Sequence, residues 1–302
     1  MTNKILLDAV TINAIKIAKD TRWSKDNLAT RYPNPILKDD VLRLLGEYCT
    51  IIYFPLENER NHGFHINGLL DKNGNSREFV FINTAQTIEK QVFTAAHELG
   101  HIWNISEDVI SSCNLTYSDE LDDAITNMFA AKLLMPTELF KLSWEHTCDH
   151  LHFLSLDDPQ NIFETFLQLI ASLMNEYCAP YKAIVYRCDE LNLIPRSLAS
   201  SLLNDTNAKL KAYVQEALHH IFTEQGYTRF LTSDNRKHIQ DFSELLDSAE
   251  SKASISLRKI QKMREMFELP TSSNPHDITP EIQTQLHEFI DSHRDKDVLH
   301  DS

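Results

Sequence analysis

The sequence predicts an α+β protein that is mainly helical. It has a small three-stranded, mostly antiparallel sheet early in the chain and a helical C-terminal domain. Three observations carry this reading. Only 6 glycines occur in 302 residues, too few for a chain rich in tight turns. β-Branched and aromatic runs with turn chemistry between them lie within residues 50–83. Beyond Asn83, apolar residues recur at helical spacing almost to the end of the chain.

Residues 4–20 read as an amphipathic helix, with Ile5, Leu6, Val10, Ile12, Ile15 and Ile17 on a broad apolar stripe. Residues 21–35 read as a connector ending in Pro33 and Pro35, and residues 38–46 as a short helix stopped by Gly46. TIIYF, at 50–54, is a β run cut off by Pro55. Residues 63–70 and 77–83 flank DKNGNS, whose Asn73-Gly74 is a hairpin signal. In the second arm Phe79 and Phe81 alternate with Val80 and Ile82, so both faces are apolar and burial on both sides is expected.

Thr84 or Thr87 can cap the next helix, which runs to about Asn104. Ser118 can cap another that runs to Met135 and stops at Pro136, and Thr137 starts a third. Helices follow at 160–177 and 179–191, and roughly four more after Pro195. SSNP, at 272–275, reads as a linker and the last stretch as a frayed acidic end. The expected organisation is therefore an N-terminal helix and connector (1–35), a central domain (36–195) and a helical C-terminal domain (196–302) for sensing or partner docking.

Composition excludes several classes. The formal net charge of −15 and the lack of a basic face argue against direct nucleic-acid binding. Acid is concentrated between Asn104 and Gln160, which hold 11 Asp or Glu against 2 Lys, and such a surface suits a basic protein partner. No apolar run of about 18 residues is present, so no membrane span is expected. The amphipathic start, with Lys16, Lys19 and Asp20, does not read as a signal peptide. The 5 scattered cysteines then read as free thiols in a cytoplasmic protein.

The chemistry is concentrated in HELGH, residues 97–101. On a helix, positions i and i+4 share a face, so His97 and His101 can turn two imidazoles toward one Zn²⁺. Glu98 is next to them and can take a proton from a water on that ion without being a ligand. The surrounding VFTAAHELGHIW is apolar enough to bury the helix, and buried histidines need partners. Two imidazoles and a carboxylate suit Zn²⁺, while Mn²⁺ or Fe²⁺ also fits such a site.

A third ligand is required. A continuation HExxHxxGxxH is ruled out, because Asn104 and Glu107 stand at its Gly and His positions. The candidates are Asp119, Glu120, Asp122 and Asp123 on the helix that Ser118 caps. Spacing alone does not decide between Asp123 and Glu120. Ala130 and Ala131 would let that helix come close to the HELGH helix.

Three blocks together resemble the ImmA/IrrE family of metallopeptidases. They are FIN followed by FTAAHELGH, the run DAITNMFAAKLLMP, and CAPYKAIVYRCDELNLIP, and they cover roughly residues 36–195. The resemblance implies a zincin-like layout, His97, His101 and Asp123 as metal ligands, and Glu98 as general base. Glu120 is the fallback third ligand, because the family usually places Glu where this chain has Asp123. The family's best-known members cleave helix-turn-helix transcriptional repressors. The implied function is site-limited cleavage of a separate repressor chain. The alternative is a regulatory protein, an anti-repressor or toxin–antitoxin component, that keeps the fold and acts by sequestration.

Other clusters have plainer readings. His146, Cys148, His150 and His152 fall within HTCDHLH, which reads as a polar surface loop. Tyr117, His150, Tyr177 and Tyr181 are each candidates to steady a carbonyl oxygen during hydrolysis, with nothing to single one out. His219 and His220 sit on a helix, apart from the metal motif.

Overall fold

Asp8 starts the first helix by accepting a hydrogen bond from the Thr11 amide at 2.7 Å. The computed structural model describes residues 7–58, 61–70, 76–153, 158–204, 206–270 and 284. Helix α1 (Ala9–Lys25) begins and ends later than its sequence pattern suggested, and α2 (Leu28–Arg31) adds a turn inside the expected connector. Ile15 is fully buried, whereas Val10 is 68% and Ile17 57% exposed, so the inward stripe is narrower than the pattern implied. Ile5 and Leu6 lie outside the described residues.

Helix α3 (Asp40–Gly46) leads into the sheet formed by β1 (Thr50–Phe54), β2 (Gly63–Leu70) and β3 (Ser76–Asn83). β2 and β3 pair antiparallel as expected, and the turn between them lies outside the described residues. Two expectations are corrected. β1 and β3 run parallel, because β3 inserts between β1 and β2. The sheet also has a fourth strand, β4 (His238–Ile239), antiparallel to β1, giving the order β2-β3-β1-β4. β4 is only 2 residues long and arises by tertiary pairing, so no local pattern announces it.

β3 is buried deeply on one side only. Val80 and Ile82 are fully buried, while Phe79 and Phe81 are half-buried, with Phe81 stacked on Phe64 at 5.0 Å. The covered face lies under α4 (Ile88–Ile102), whose Val92, Ala95, Ala96 and Leu99 join the core. Thr87 precedes α4 without a side-chain cap bond and donates to Glu89 instead. The Thr84 hydroxyl donates to the Arg236 carbonyl at 2.8 Å, beside the strand that edges the sheet.

After α4, Asn104 takes a left-handed conformation (φ 54°) and starts α5 (Ile105–Cys113). Ser118 caps α6 (Asp119–Leu134) by accepting from Leu121 at 3.2 Å. Pro136 ends it and α7 (Thr137–His150) follows. HTCDHLH is thus largely helical rather than a loop, with Cys148 buried and His146, His150 and His152 exposed. Then come α8 (Pro159–Tyr177), α9 (Tyr181–Glu190), α10 (Arg196–Leu202) and α11 (Ala208–Glu224), followed by a single 3₁₀ turn at Thr228–Phe230. α11 packs on α8.

The chain divides into two compact units, Met1–Gln240 and Asp241–Ser302. In the second, α12 (Phe242–Ser251) packs on α13 (Leu257–Met266). Phe242 and Phe267 meet edge to face at 4.9 Å. Arg264 is buried against Asp247 and donates to the Pro270 carbonyl at 2.9 Å. The expected linker and acidic end lie outside the described residues. No helix among the described residues is long and apolar enough to cross a membrane.

Candidate metal centre

Helices α4 and α6 pack against each other, and a glycine sets how closely. A Cβ on Gly100 would stand 2.8 Å from both Thr126 Cγ2 and Phe129 Cδ1. The absence of a side chain there lets α6 settle onto the HELGH turn. The sequence suggested small residues for this approach, and the glycine of HELGH is the one at the contact.

This packing brings His97, His101 and Asp123 together, with one ligand atom from each within 4.8 Å of the others. They are the one group of three potential metal ligands so assembled among the described residues. The His97 and His101 Nε2 atoms are 3.1 Å apart, and His97 Nε2 is 4.0 Å from Asp123 Oδ1. Glu120 and the histidines of α7 are not in the group. The Asp123 side chain is 70% exposed, so the centre opens to solvent on that side.

The outward ring nitrogens have their own partners. His97 Nδ1 lies 3.1 Å from Asn127 Oδ1, and His101 Nδ1 lies 3.7 Å from Asp122 Oδ2. An Nδ1–H donated to Asn127 leaves the His97 Nε2 lone pair facing His101 Nε2, where a shared cation would take both nitrogens. Two nitrogens bound to one tetrahedral Zn²⁺ would stand about 3.3 Å apart, close to the spacing found. The residues therefore fit a metal of this type. Asn127 follows Asp123 by one helical turn, and that spacing was the available signal for its role.

The electrostatics keep both rings neutral, as ligation requires. Burial, followed by the neighbouring His101, pushes His97 down to about 4, against Asn127, Asp123 and Asp122. Burial also lowers His101, against the nearby Asp122 carboxylate. Glu98 is 5% exposed, and burial together with the Asp123 charge pushes it up to about 7. A carboxyl poised there can take up and release a proton near neutral pH.

Residues 48–189 match the model of the Peptidase M78 family, the IrrE N-terminal-like domain. That stretch of the chain is similar to the family's domain. It begins just before β1, contains the whole His-His-Asp centre on α4 and α6, and ends within α9. Among curated proteins, none matches the chain.

The third block of the IrrE-like resemblance also has a structural role. Arg187 on α9 is 1% exposed and donates through Nε and Nη2 to the Met135 carbonyl, at 3.1 and 2.9 Å. It also reaches Thr137 and Glu190, and Glu190 accepts from Lys132 at 2.7 Å. The arginine thus satisfies the carbonyl left over at the end of α6, the helix that carries Asp123.

Proposed function

We propose that this protein is a zinc-dependent endopeptidase that cuts a protein substrate at a limited site. His97, His101 and Asp123 would hold the ion, and Glu98 would be the general base. The observation that carries this is the pair of Nε2 atoms 3.1 Å apart beside a solvent-open carboxylate, with a buried Glu98 on the same helix. When bound, such an ion acidifies a water molecule and polarises a substrate carbonyl. Glu98 takes a proton from the attacking water as its oxygen bonds to the carbonyl carbon. It then delivers that proton to the amide nitrogen as the C–N bond breaks. Asn127 and Asp122 keep the two rings oriented throughout.

The substrate class rests on the family resemblance: a helix-turn-helix repressor met as a separate cytoplasmic chain. The acid on the first turn of α6, at Asp119, Glu120 and Asp122 just ahead of Asp123, suits a basic, DNA-binding partner. One observation favours the alternative of a non-cleaving regulator. Asp123 is a methylene shorter than the family's usual Glu, and it is largely exposed.

The test compares protein N-termini by mass spectrometry in cells producing the wild type and in cells producing Glu98→Gln. A new terminus present only with the wild type identifies both substrate and bond. Identical termini in a metal-loaded wild type contradict the peptidase reading and favour sequestration.

A further inference from the structure

The HELGH helix also packs on the sheet, through β2 and β3. A Cβ on Gly63 of β2 would lie 2.6 Å from Thr94 Cγ2 of α4, so position 63 points at the HELGH helix. Side chains alternate along a strand, and the ladder is regular from Gly63 to Ile66, so His65 points the same way. His65 stands opposite Val80, which is fully buried on the α4 side of the sheet. β2 runs antiparallel to β3, and α4 follows β3 and packs back on both strands, so the step from Gly63 to His65 leads from Thr94 toward the HELGH turn. The His65–Glu78 pair is therefore at the catalytic end of α4.

Glu78, on the neighbouring strand, holds the ring: its Oε2 is 2.5 Å from His65 Nε2. The two side chains are only 15% and 30% exposed. Nδ1 makes no hydrogen bond among the described residues, so the fold fixes the imidazole and leaves one nitrogen for something else. The residues suggested by sequence for steadying a carbonyl oxygen are worse placed. Tyr117 is 60% exposed and bonded to Asp119. The Tyr177 hydroxyl is paired with Ser143, and His150 is exposed at the end of α7. The Tyr181 hydroxyl is buried at the start of α9.

We propose that His65, oriented by Glu78, is a substrate-contacting residue of this centre, its Nδ1 hydrogen-bonding the peptide unit that is cut. This rests on the metallopeptidase reading above. Glu78 is a positioning residue that acts through the imidazole.

The test uses the full chain loaded with Co²⁺ and titrated with acetohydroxamate, a chelator that carries the carbonyl and N–H of a peptide unit, followed by visible absorption. Three variants are compared with the wild type: His65→Ala, His65→Phe, which keeps the ring volume, and Glu78→Gln. The expected result is at least a tenfold loss of acetohydroxamate affinity in both His65 variants and a smaller loss in Glu78→Gln, with Co²⁺ stoichiometry and affinity unchanged. Equal affinity in the wild type and a folded His65 variant overturns the proposal and leaves the peptidase reading intact. Loss of Co²⁺ itself in the His65 variants also overturns it, because His65 would then be a ligand. A cobalt-loaded wild type whose spectrum ignores acetohydroxamate contradicts the peptidase reading and this proposal together.

Discussion

His97 and His101 meet through their Nε2 atoms at 3.1 Å, with both Nδ1 atoms turned outward to oxygens of α6. Helix α4 supplies the pair, and α6 holds the His97 ring through Asn127 and sets Asp122 beside the His101 ring. The centre therefore depends on the α4–α6 contact as much as on the HELGH motif itself.

The outward partners should matter to metal affinity. Asn127→Leu removes the acceptor on His97 Nδ1 and frees the ring to present the wrong nitrogen. Zn²⁺ affinity, read by competition with a chromophoric chelator, is expected to fall by about 10- to 100-fold. Asp122→Asn should lose less, since Asp122 is the more distant partner at 3.7 Å. An unchanged affinity in Asn127→Leu would contradict the tautomer argument.

Gly100→Ala tests the interhelix contact. The added methyl meets Thr126 and Phe129 well inside van der Waals distance, so α6 must shift or Phe129 must leave its place. Overpacking of this kind costs roughly 1–3 kcal/mol. A urea denaturation midpoint should fall accordingly, and Zn²⁺ affinity should fall with it because Asp123 and Asn127 ride on the displaced helix. Lost stability with unaltered affinity would separate the packing from the site.

Arg187 is expected to be a strong stability determinant. Arg187→Met leaves the Met135 carbonyl and Glu190 short of a buried partner, at a cost of roughly 3–5 kcal/mol by urea denaturation. The same cluster gives a pH signature. Burial alone would raise Glu190, but the charges of Arg187 and Lys132 hold it below its ordinary value. A carboxyl depressed in the folded state adds stability above its unfolded pKa, and loses it as pH falls through the folded value. The Tm difference between wild type and Glu190→Gln should therefore be full near about pH 7 and shrink toward about pH 3. A difference that grows on acidification would refute the assignment.

Thiol labelling should single out one cysteine. Burial pushes Cys49 and Cys178 up to about 12 and Cys148 up to about 11, and raises Cys188 further. Cys113, half-buried at the end of α5, is the remaining one of the free thiols. A disulfide reagent at mildly alkaline pH should modify Cys113 quickly and the others only after unfolding. Rapid labelling of Cys178 or Cys188 in the native protein would contradict their burial.

The parts legible in the sequence are those governed by short-range rules. HELGH puts two imidazoles on one side because i and i+4 share a helix face, and Ser118, Pro136 and Gly46 mark helix ends by local backbone chemistry. Asp123 was one of four acidic candidates until the family resemblance favoured it, since i, i+3 spacing alone cannot say which carboxylate faces another helix. β4 and the parallel pairing of β1 with β3 were not legible, because both depend on contacts far apart in the chain. Arg187 looked like part of a weak family block, and only the folded chain shows it satisfying the end of α6. His65 carried no motif and is placed by strand register alone.

The most direct test of the central claim is a Zn²⁺ titration of the wild type, His97→Ala, His101→Ala, Asp123→Ala and Glu120→Ala. One tight site per chain in the wild type, lost with either histidine, weakened with Asp123→Ala and untouched with Glu120→Ala, is the predicted result. Tight binding that survives His97→Ala, or that falls with Glu120→Ala and not with Asp123→Ala, would contradict it.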